Sequence, residues 1–195
     1  IVDSKIYKWN GTQFSEFQSI STTGAHDWEY FTIGSDTYLA LANNKNDSTY
    51  NVNSRIYKWN GTQFSEFQSI STKGARDWES FQIGSDSYLV VANSDDDSTT
   101  SLNSIVYQWD SSQSQFVEIQ EILTDRAFDW DSFTIGDDTF ITVATNSDTI
   151  DSRLFRWNGT AFLEIQTFST KKGTRTVPFN IGSDTYLAVT NHKDG

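Results

Sequence analysis

Repetition, two-residue alternation and turn chemistry together predict an all-β fold built of four-stranded antiparallel units. The repetition is plain: Ile56–Thr72 (IYKWNGTQFSEFQSIST) copies Ile6–Thr22 letter for letter, and looser versions occupy Val106–Glu121 and Leu154–Thr170. A second block alternates with it at Gly24–Asn43, Gly74–Asn93 and Arg126–Thr145. Its last copy, ending FNIGSDTYLAVTN at Asn191, lacks the Asp-Trp pair of the other three. Self-similarity at a period of about 50 residues marks a repeat architecture, each copy being one supersecondary unit. The four copies run end to end without a linker, so residues 1–195 read as a single domain.

Within the first copy, Ser4–Trp9 alternates, with Tyr7 and Trp9 on one side and Ile6 and Lys8 on the other. That period predicts a strand. Asn10-Gly11 is a favoured two-residue hairpin turn, and Phe14–Ile20 is the returning strand. A Ser/Thr/Gly connection over Ser21–Gly24 leads to a third strand, Asp27–Ile33. Gly34-Ser35-Asp36 then turns the chain into a fourth, Tyr38–Asn43. Every turn uses residues that accept unusual backbone angles or bond their own backbone. The polar connection Asn44–Asn53 leads to the next copy. Its counterparts, Ser94–Asn103 and Asn146–Asp151, differ most among the copies, as surface loops that carry binding groups do. The acidic run Asp95–Asp97 lacks the spaced ligands, central Gly and distal Glu of a calcium loop and reads as a solvated charge cluster. Pro178, the single Pro, removes a ladder donor, so its strand belongs at an edge or a bulge.

Four antiparallel strands per copy, with no helical periodicity, fit the blade of a β-propeller. With Asp27–Ile33 as the innermost strand, blocks 24–72, 74–122 and 126–170 are blades. Residues 173–195 joined with 1–22 complete one more, within one chain or between two. Such joining protects strand edges that would otherwise invite aggregation.

Composition narrows the function. Fourteen basic residues against 26 acidic ones give a net charge of −12. Nucleic acid and anionic membrane surfaces both need a basic footprint and are poor partners, so no nucleic acid is expected. Membrane insertion is not expected, because no apolar run approaches the length of a span. Hydrophobic residues are only 36% of the chain, but aromatics are 15%, including seven Trp, and large rings bury enough surface for a packed core. There is no Cys, hence no disulfide or thiol chemistry. Sequons at Asn10, Asn46, Asn60 and Asn158 permit glycosylation in a secreted protein; in three of them Asn-Gly is equally a hairpin turn. No signal peptide is visible and the first residue is Ile, so a mature form or an excised piece is expected.

The recurring pairs Asp27-Trp28, Asp77-Trp78 and Asp129-Trp130 are the candidate ligand-binding residues. Three carboxylates converging around an axis are expensive unless compensated. Asp27, Asp77 and Asp129 therefore read as ligands of a cation such as calcium, as partners of Arg175, which stands at the same place in the last copy, or as acceptors for a neighbouring backbone. The Trp residues read either as blade core or as platforms for sugar rings. Catalysis is not expected. The two His, His26 and His192, do not recur, Arg76 and Phe128 replacing the first in later copies. No nucleophile–base pair or phosphate loop is present either. The carboxylates recur with the repeat, whereas an active site is a single asymmetric constellation.

The pattern A-x-D-W-x-x-F-x-I-G-x-D-x-Y-L-x-x-A-N, followed by S-x-I-Y-x-W-N-G-x-x-F, resembles the epilepsy-associated repeat (EAR, EPTP or epitempin) over nearly the whole chain. The resemblance implies a β-propeller with one repeat per blade, extracellular recognition rather than catalysis, and calcium in the propeller channel. Two functions fit. One is a secreted, multivalent, lectin-like protein that binds glycans or cell-surface glycoproteins and needs no cofactor, its weak sites gaining from avidity. The other is a protein-binding ectodomain module. A homodimer of half-blades is compatible with both.

Overall fold

The computed structural model describes residues 2–192, and among them every regular element is a strand. In chain order these are β1 (Val2–Trp9), β2 (Phe14–Thr22), β3 (Ala25–Ile33), β4 (Asp36–Asn43), β5 (Asn53–Trp59), β6 (Phe64–Ser71), β7 (Ala75–Ile83) and β8 (Asp86–Asn93). They continue as β9 (Ser101–Asp110), β10 (Gln115–Asp125), β11 (Ala127–Ile135), β12 (Asp138–Thr145), β13 (Ser152–Trp157), β14 (Phe162–Phe168), β15 (Gly173–Ile181) and β16 (Asp184–Asn191). Three four-stranded sheets, β3–β6, β7–β10 and β11–β14, are meanders in which each strand pairs with its sequence neighbour. The inner strands touch in series, β3 on β7, β7 on β11 and β11 on β15. The blades therefore stand side by side in a row, inner strands together.

Of the two expected ways of joining, the terminal pairs do not take the one within the chain. β1–β2 and β15–β16 remain two separate two-stranded sheets, not one completed blade. The physical reason lies on β15. Where β3, β7 and β11 carry Asp27/Glu29, Asp77/Glu79 and Asp129/Asp131, β15 carries Arg175 and Val177. It thus lacks the acceptors that latch each inner strand to the next. The consequence shows in identical sequence: Tyr57 is 5% exposed whereas Tyr7 is 53% exposed.

Two irregularities recur and aim side chains between blades. In every outer hairpin the register slips at one place, between Ile6 and Tyr7, Ile56 and Tyr57, Glu118 and Gln120, and Leu154 and Phe155. The slip leaves Phe17, Phe67, Ile119 and Ile165 without a cross-strand partner. A bulge of this kind bends the strand and re-aims a side chain. Phe17 meets Trp59 of the next blade at 5.7 Å between ring centroids, and Phe67 meets Trp109 at 5.9 Å. Inner strands slip near their starts, at Ala25/Asp27, Ala75/Trp78, Ala127/Asp129 and Gly173/Thr176. Pro178 lies in β15, an edge strand carrying such a slip, where a missing donor costs least.

The core lies between sheets. One cluster joins Phe31, Tyr38 and Ile56 of the first blade to Trp78, Leu89 and Phe116 of the second. Another joins Phe81, Tyr88 and Val106 to Trp130, Ile141 and Phe162. Each blade–blade boundary is thus a hydrophobic core in its own right.

Candidate functional site

The inner-strand carboxylates point along the row. The Asp77 carboxylate accepts the Trp130 backbone N–H at 2.7 Å, and Asp129 accepts that of Thr176 at 2.8 Å. Glu29 accepts both the N–H and the hydroxyl of Ser80, at 3.0 and 2.5 Å, and Glu79 accepts those of Ser132 at 2.9 and 2.7 Å. Asp131 completes the ladder by accepting the Thr176 hydroxyl at 2.9 Å. Inner strands pair on one edge only, so their other edge carries free N–H groups that need partners. The acidic side chains supply them.

Burial raises the pKa values of this ladder. It pushes the Glu79 carboxyl up to about 8 against the opposing bonds from Ser132, with the Glu29 charge adding to the rise. Glu29, Asp129 and Asp131 are raised for the same first reason, and Asp77 well above its ordinary value, helped by the nearby charges of Asp129 and Asp27. Arg175 approaches Asp129 at 3.9 Å and offsets part of its shift. Among the described residues, no group of three or more His, Cys, Asp or Glu side chains has the arrangement to hold a metal ion. Asp77 and Asp129 each give an oxygen to a neighbouring backbone, the acceptor role expected as one alternative to metal binding.

The Trp partners of these Asp face the sheet cores. Trp78 and Trp130 are each 1% exposed, packed against Tyr107 and Phe155; Trp28, packed against Tyr57, is only half-buried. The buried indole N–H groups of Trp78 and Trp130 have no hydrogen-bond partner among the described residues. Between the inner strands runs a column from the slipped positions. The His26 ring nitrogens meet the Arg76 carbonyl at 2.9 Å and the Arg76 guanidinium at 3.0 Å, and that guanidinium lies 4.0 Å from the Phe128 ring centroid. Burial lowers the Arg76 pKa.

Sequence reasoning missed the outer counterpart of the ladder. The Gln18 amide donates to the Phe64 carbonyl at 2.7 Å and accepts the Phe64 N–H at 2.8 Å. Gln68 does the same with Phe116, and Gln120 with Phe162. The signal was there: Gln stands at one fixed place in all four copies, Gln166 being the last.

The long connections form a further feature. The Asp97 carboxylate of the second loop accepts the Thr49 hydroxyl and, at 3.1 Å, the Tyr50 N–H of the first; Asn51 donates to the Asp96 carbonyl at 3.0 Å. Asp125 accepts the Thr100 hydroxyl at 2.6 Å and the Ser147 hydroxyl at 2.5 Å, joining the second loop to the third. The acidic run is therefore turn-building: Asp95 accepts the Asp97 N–H, and Asp96 those of Ser98 and Thr99. The connections make one continuous belt along one rim.

The hairpin turns bearing sequons lie on the other rim. Asn10, Asn60 and Asn158 are exposed, and each side-chain carbonyl accepts the hydroxyl of its Thr and two backbone N–H groups. Asp110 makes the same turn without a sequon.

A row of four-stranded blades latched by acidic and amide side chains defines a tandem blade-repeat protein of the kind that builds propellers. A profile of the EPTP domain matches residues 13–60, 63–110 and 115–158, and the chain belongs to that family. It is 41% identical over 172 residues to the human "Thrombospondin-type laminin G domain and EAR repeat-containing protein", and 40% identical over 172 residues to the mouse protein of the same name. Both alignments cover 81% of this chain and 26% of the relative, so the chain spans about a quarter of the relatives' length.

Proposed function

We propose that this chain is a non-enzymatic, extracellular recognition module whose partner is a protein, met by the loop belt. The observation carrying this reading is the interlocking of residues 44–53, 94–103 and 146–151 through Asp97, Asn51 and Asp125. These segments differ from copy to copy, so the belt is one composite, asymmetric surface rather than a series of equal sites. Its mixed groups suit a protein: Lys45 lies 4.5 Å from the Tyr50 ring centroid, and Asn51 and the Asp95–Asp97 run flank them. Aromatic and charged anchors in a polar surround are what protein interfaces use. The belt's acidity favours a basic partner surface.

The glycan-binding reading has one supporting observation. Trp28 is half-buried where its counterparts are core, which leaves a single aromatic platform beside Asp27 in place of a multivalent series. A panel of extracellular protein domains and a glycan array, probed side by side, separate the two. Protein binding lost in a Tyr50→Ala, Lys45→Ala double variant supports the belt. Glycan binding lost in Trp28→Ala, with the belt variant unaffected, would establish the second reading in its place.

A further inference from the structure

We propose that the second blade carries a pocket for a guanidinium group, supplied by an arginine side chain of a partner. The pocket, of about 230 Å³, opens on the outer strands β9 and β10, and Tyr107, Asn103, Glu118, Glu121 and Lys73 line it. The second blade has a complete four-stranded blade on either side.

The other copies show what this place lacks. In their outer hairpins a cation on the first strand meets a Glu on the second: Lys5 with Glu16 at 2.5 Å, Arg55 with Glu66 at 2.5 Å and Arg153 with Glu164 at 3.4 Å. An aromatic residue two places after the cation, opposite the Glu, completes the set as Tyr7, Tyr57 or Phe155. Arg55 lies close enough to the Tyr57 phenol to offset part of the rise that burial gives its pKa, and Arg153 lies 5.3 Å from the Phe155 ring centroid. The second blade keeps the ring and the acid, as Tyr107 and Glu118, but Ile105 replaces the cation. Glu118 therefore has no ion pair among the described residues. Opposite Ile105 stands a second acid, Glu121, where the other copies carry Ser19, Ser69 and Thr167. Relative to its sister blades, this place has lost a positive charge and gained a negative one.

A buried hydroxyl points to a ligand independently. Tyr107 is 7% exposed and its ring packs on Trp78 at 5.8 Å between centroids, yet its hydroxyl makes no hydrogen bond among the described residues. Tyr107 lines the pocket, and Glu118 is near enough for its charge to add to the rise that burial gives the phenol's pKa. A buried polar group of this kind calls for a partner. The phenol oxygen is an acceptor for one guanidinium N–H, and the Glu118 and Glu121 carboxylates accept others as charge-assisted bonds. Glu121 is already held in place by the Asn103 amide, which donates to it at 2.5 Å. Lys73 does not fill the role, being paired with Asp96 at 3.4 Å.

Arginine fits better than the other cations. Its planar fork of donors matches two carboxylates and a phenol oxygen, which a compact ammonium does not, and two of the three sister hairpins use Arg at this place. Calcium takes about six to eight oxygen ligands, and no group of three or more acidic or His side chains among the described residues is arranged for a metal. The pocket adjoins the loop belt, since Lys73 ties it to Asp96 of the second connection. The pocket's chemistry stands by itself; that the arginine belongs to a protein rests on the reading of the belt.

The test is a nuclear magnetic resonance titration of the isotope-labelled chain with N-acetyl-arginine methylamide, with the neutral citrulline analogue as control. Saturable shifts are expected at the Asn103, Tyr107, Glu118 and Glu121 amides with the arginine probe and none with citrulline. Glu118→Gln is expected to weaken binding about three- to tenfold. Ile105→Arg installs the residue present at Arg55 and Arg153. It is expected to abolish the saturable shifts while raising the melting temperature, which shows that the variant is folded. The proposal is overturned if the arginine probe gives no saturable shift at these residues, if citrulline matches it, or if the shifts survive in Ile105→Arg. It is also overturned if calcium reproduces the shifts and displaces the probe, because the site would then be a metal site. Probe binding without any binder in the panel of extracellular domains supports the pocket and sinks the belt reading; a belt-dependent binder without any probe shift does the reverse.

Discussion

At the scale of single residues, the inner-strand carboxylates do a structural job that leaves a mark on pH dependence. Glu79 has its pKa pushed up to about 8 by burial, against an ordinary value of 4.5. Between those values the folded chain holds a proton that the unfolded chain has released. Its stabilising contribution is complete below about pH 4.5 and is lost as pH rises through about 8. Glu29, Asp77, Asp129 and Asp131 are raised in the same direction, so stability falls from mildly acid to mildly alkaline pH. Glu79→Gln keeps an acceptor for the Ser132 N–H and hydroxyl and removes the titration. Urea midpoints at pH 5 and pH 8 are expected to differ less in that variant than in the parent, with the gain at pH 8. An unchanged difference would mean that Glu79 does not titrate in this window. The sequence made these residues conspicuous by recurrence but did not give their job. Asp beside Trp in a strand reads alike as ligand, counter-ion or latch; only the placement of the next strand's N–H groups decides.

At the scale of elements, the strands and turns were legible because local chemistry fixes them: alternation at Ser4–Trp9, Asn-Gly between β1 and β2, Gly-Ser-Asp between β3 and β4. What alternation does not reveal is which face a neighbouring blade covers. Tyr7 and Tyr57 lie in identical segments, yet one is exposed and the other is core. Tyr57→Ala is accordingly expected to cost about 3–5 kcal/mol, as truncation of a buried aromatic does. In dilute solution Tyr7→Ala costs about 0.5 kcal/mol or less. Thermal melts of the two variants check this, and equal losses would refute the assigned burial. Trp78→Ala belongs with Tyr57→Ala: at 1% exposure it unfolds or strongly destabilises the chain, where a surface platform would lose only ligand. The connections follow a steric rule as well. A Cβ on Gly24 would sit 2.0 Å from the Lys45 carbonyl oxygen, while Gly34 has open space around it. Both have positive φ, but Gly24→Ala is expected to lower the melting temperature well beyond Gly34→Ala, because backbone would have to move.

At the scale of the whole molecule, the blades form a row joined neighbour to neighbour, and the terminal pairs expected to join do not do so within one chain. The repeat phase placed the outer strand pair of a blade at the start and the inner pair of a blade at the end, and edge protection argued that they join. The exchange of Asp and Glu for Arg175 and Val177 on β15 was visible, but its meaning depends on knowing that those positions latch adjacent strands. A row has a thermodynamic signature that a cooperative ring lacks: its stability is a sum of blade and nearest-neighbour boundary terms. Gln68 and Gln120 serve different boundaries, each with a pair of bonds to the next blade's main chain. Either Gln→Ala change leaves one partly buried N–H and one carbonyl with poorer partners, for a cost of about 1–3 kcal/mol. Because the two boundaries are separated by a whole blade and share no partner, the double variant should lose the sum of the single losses to within about 0.5 kcal/mol. Guanidinium titrations followed by Trp fluorescence measure it, since Trp109 and Trp157 report the two boundaries. Weakening the first boundary should shift the Trp109 signal more than that of Trp157. A double-variant loss far from the sum, or a single transition in which both Trp move together in every variant, would mean that the row unfolds as one unit and that nearest-neighbour terms do not describe it.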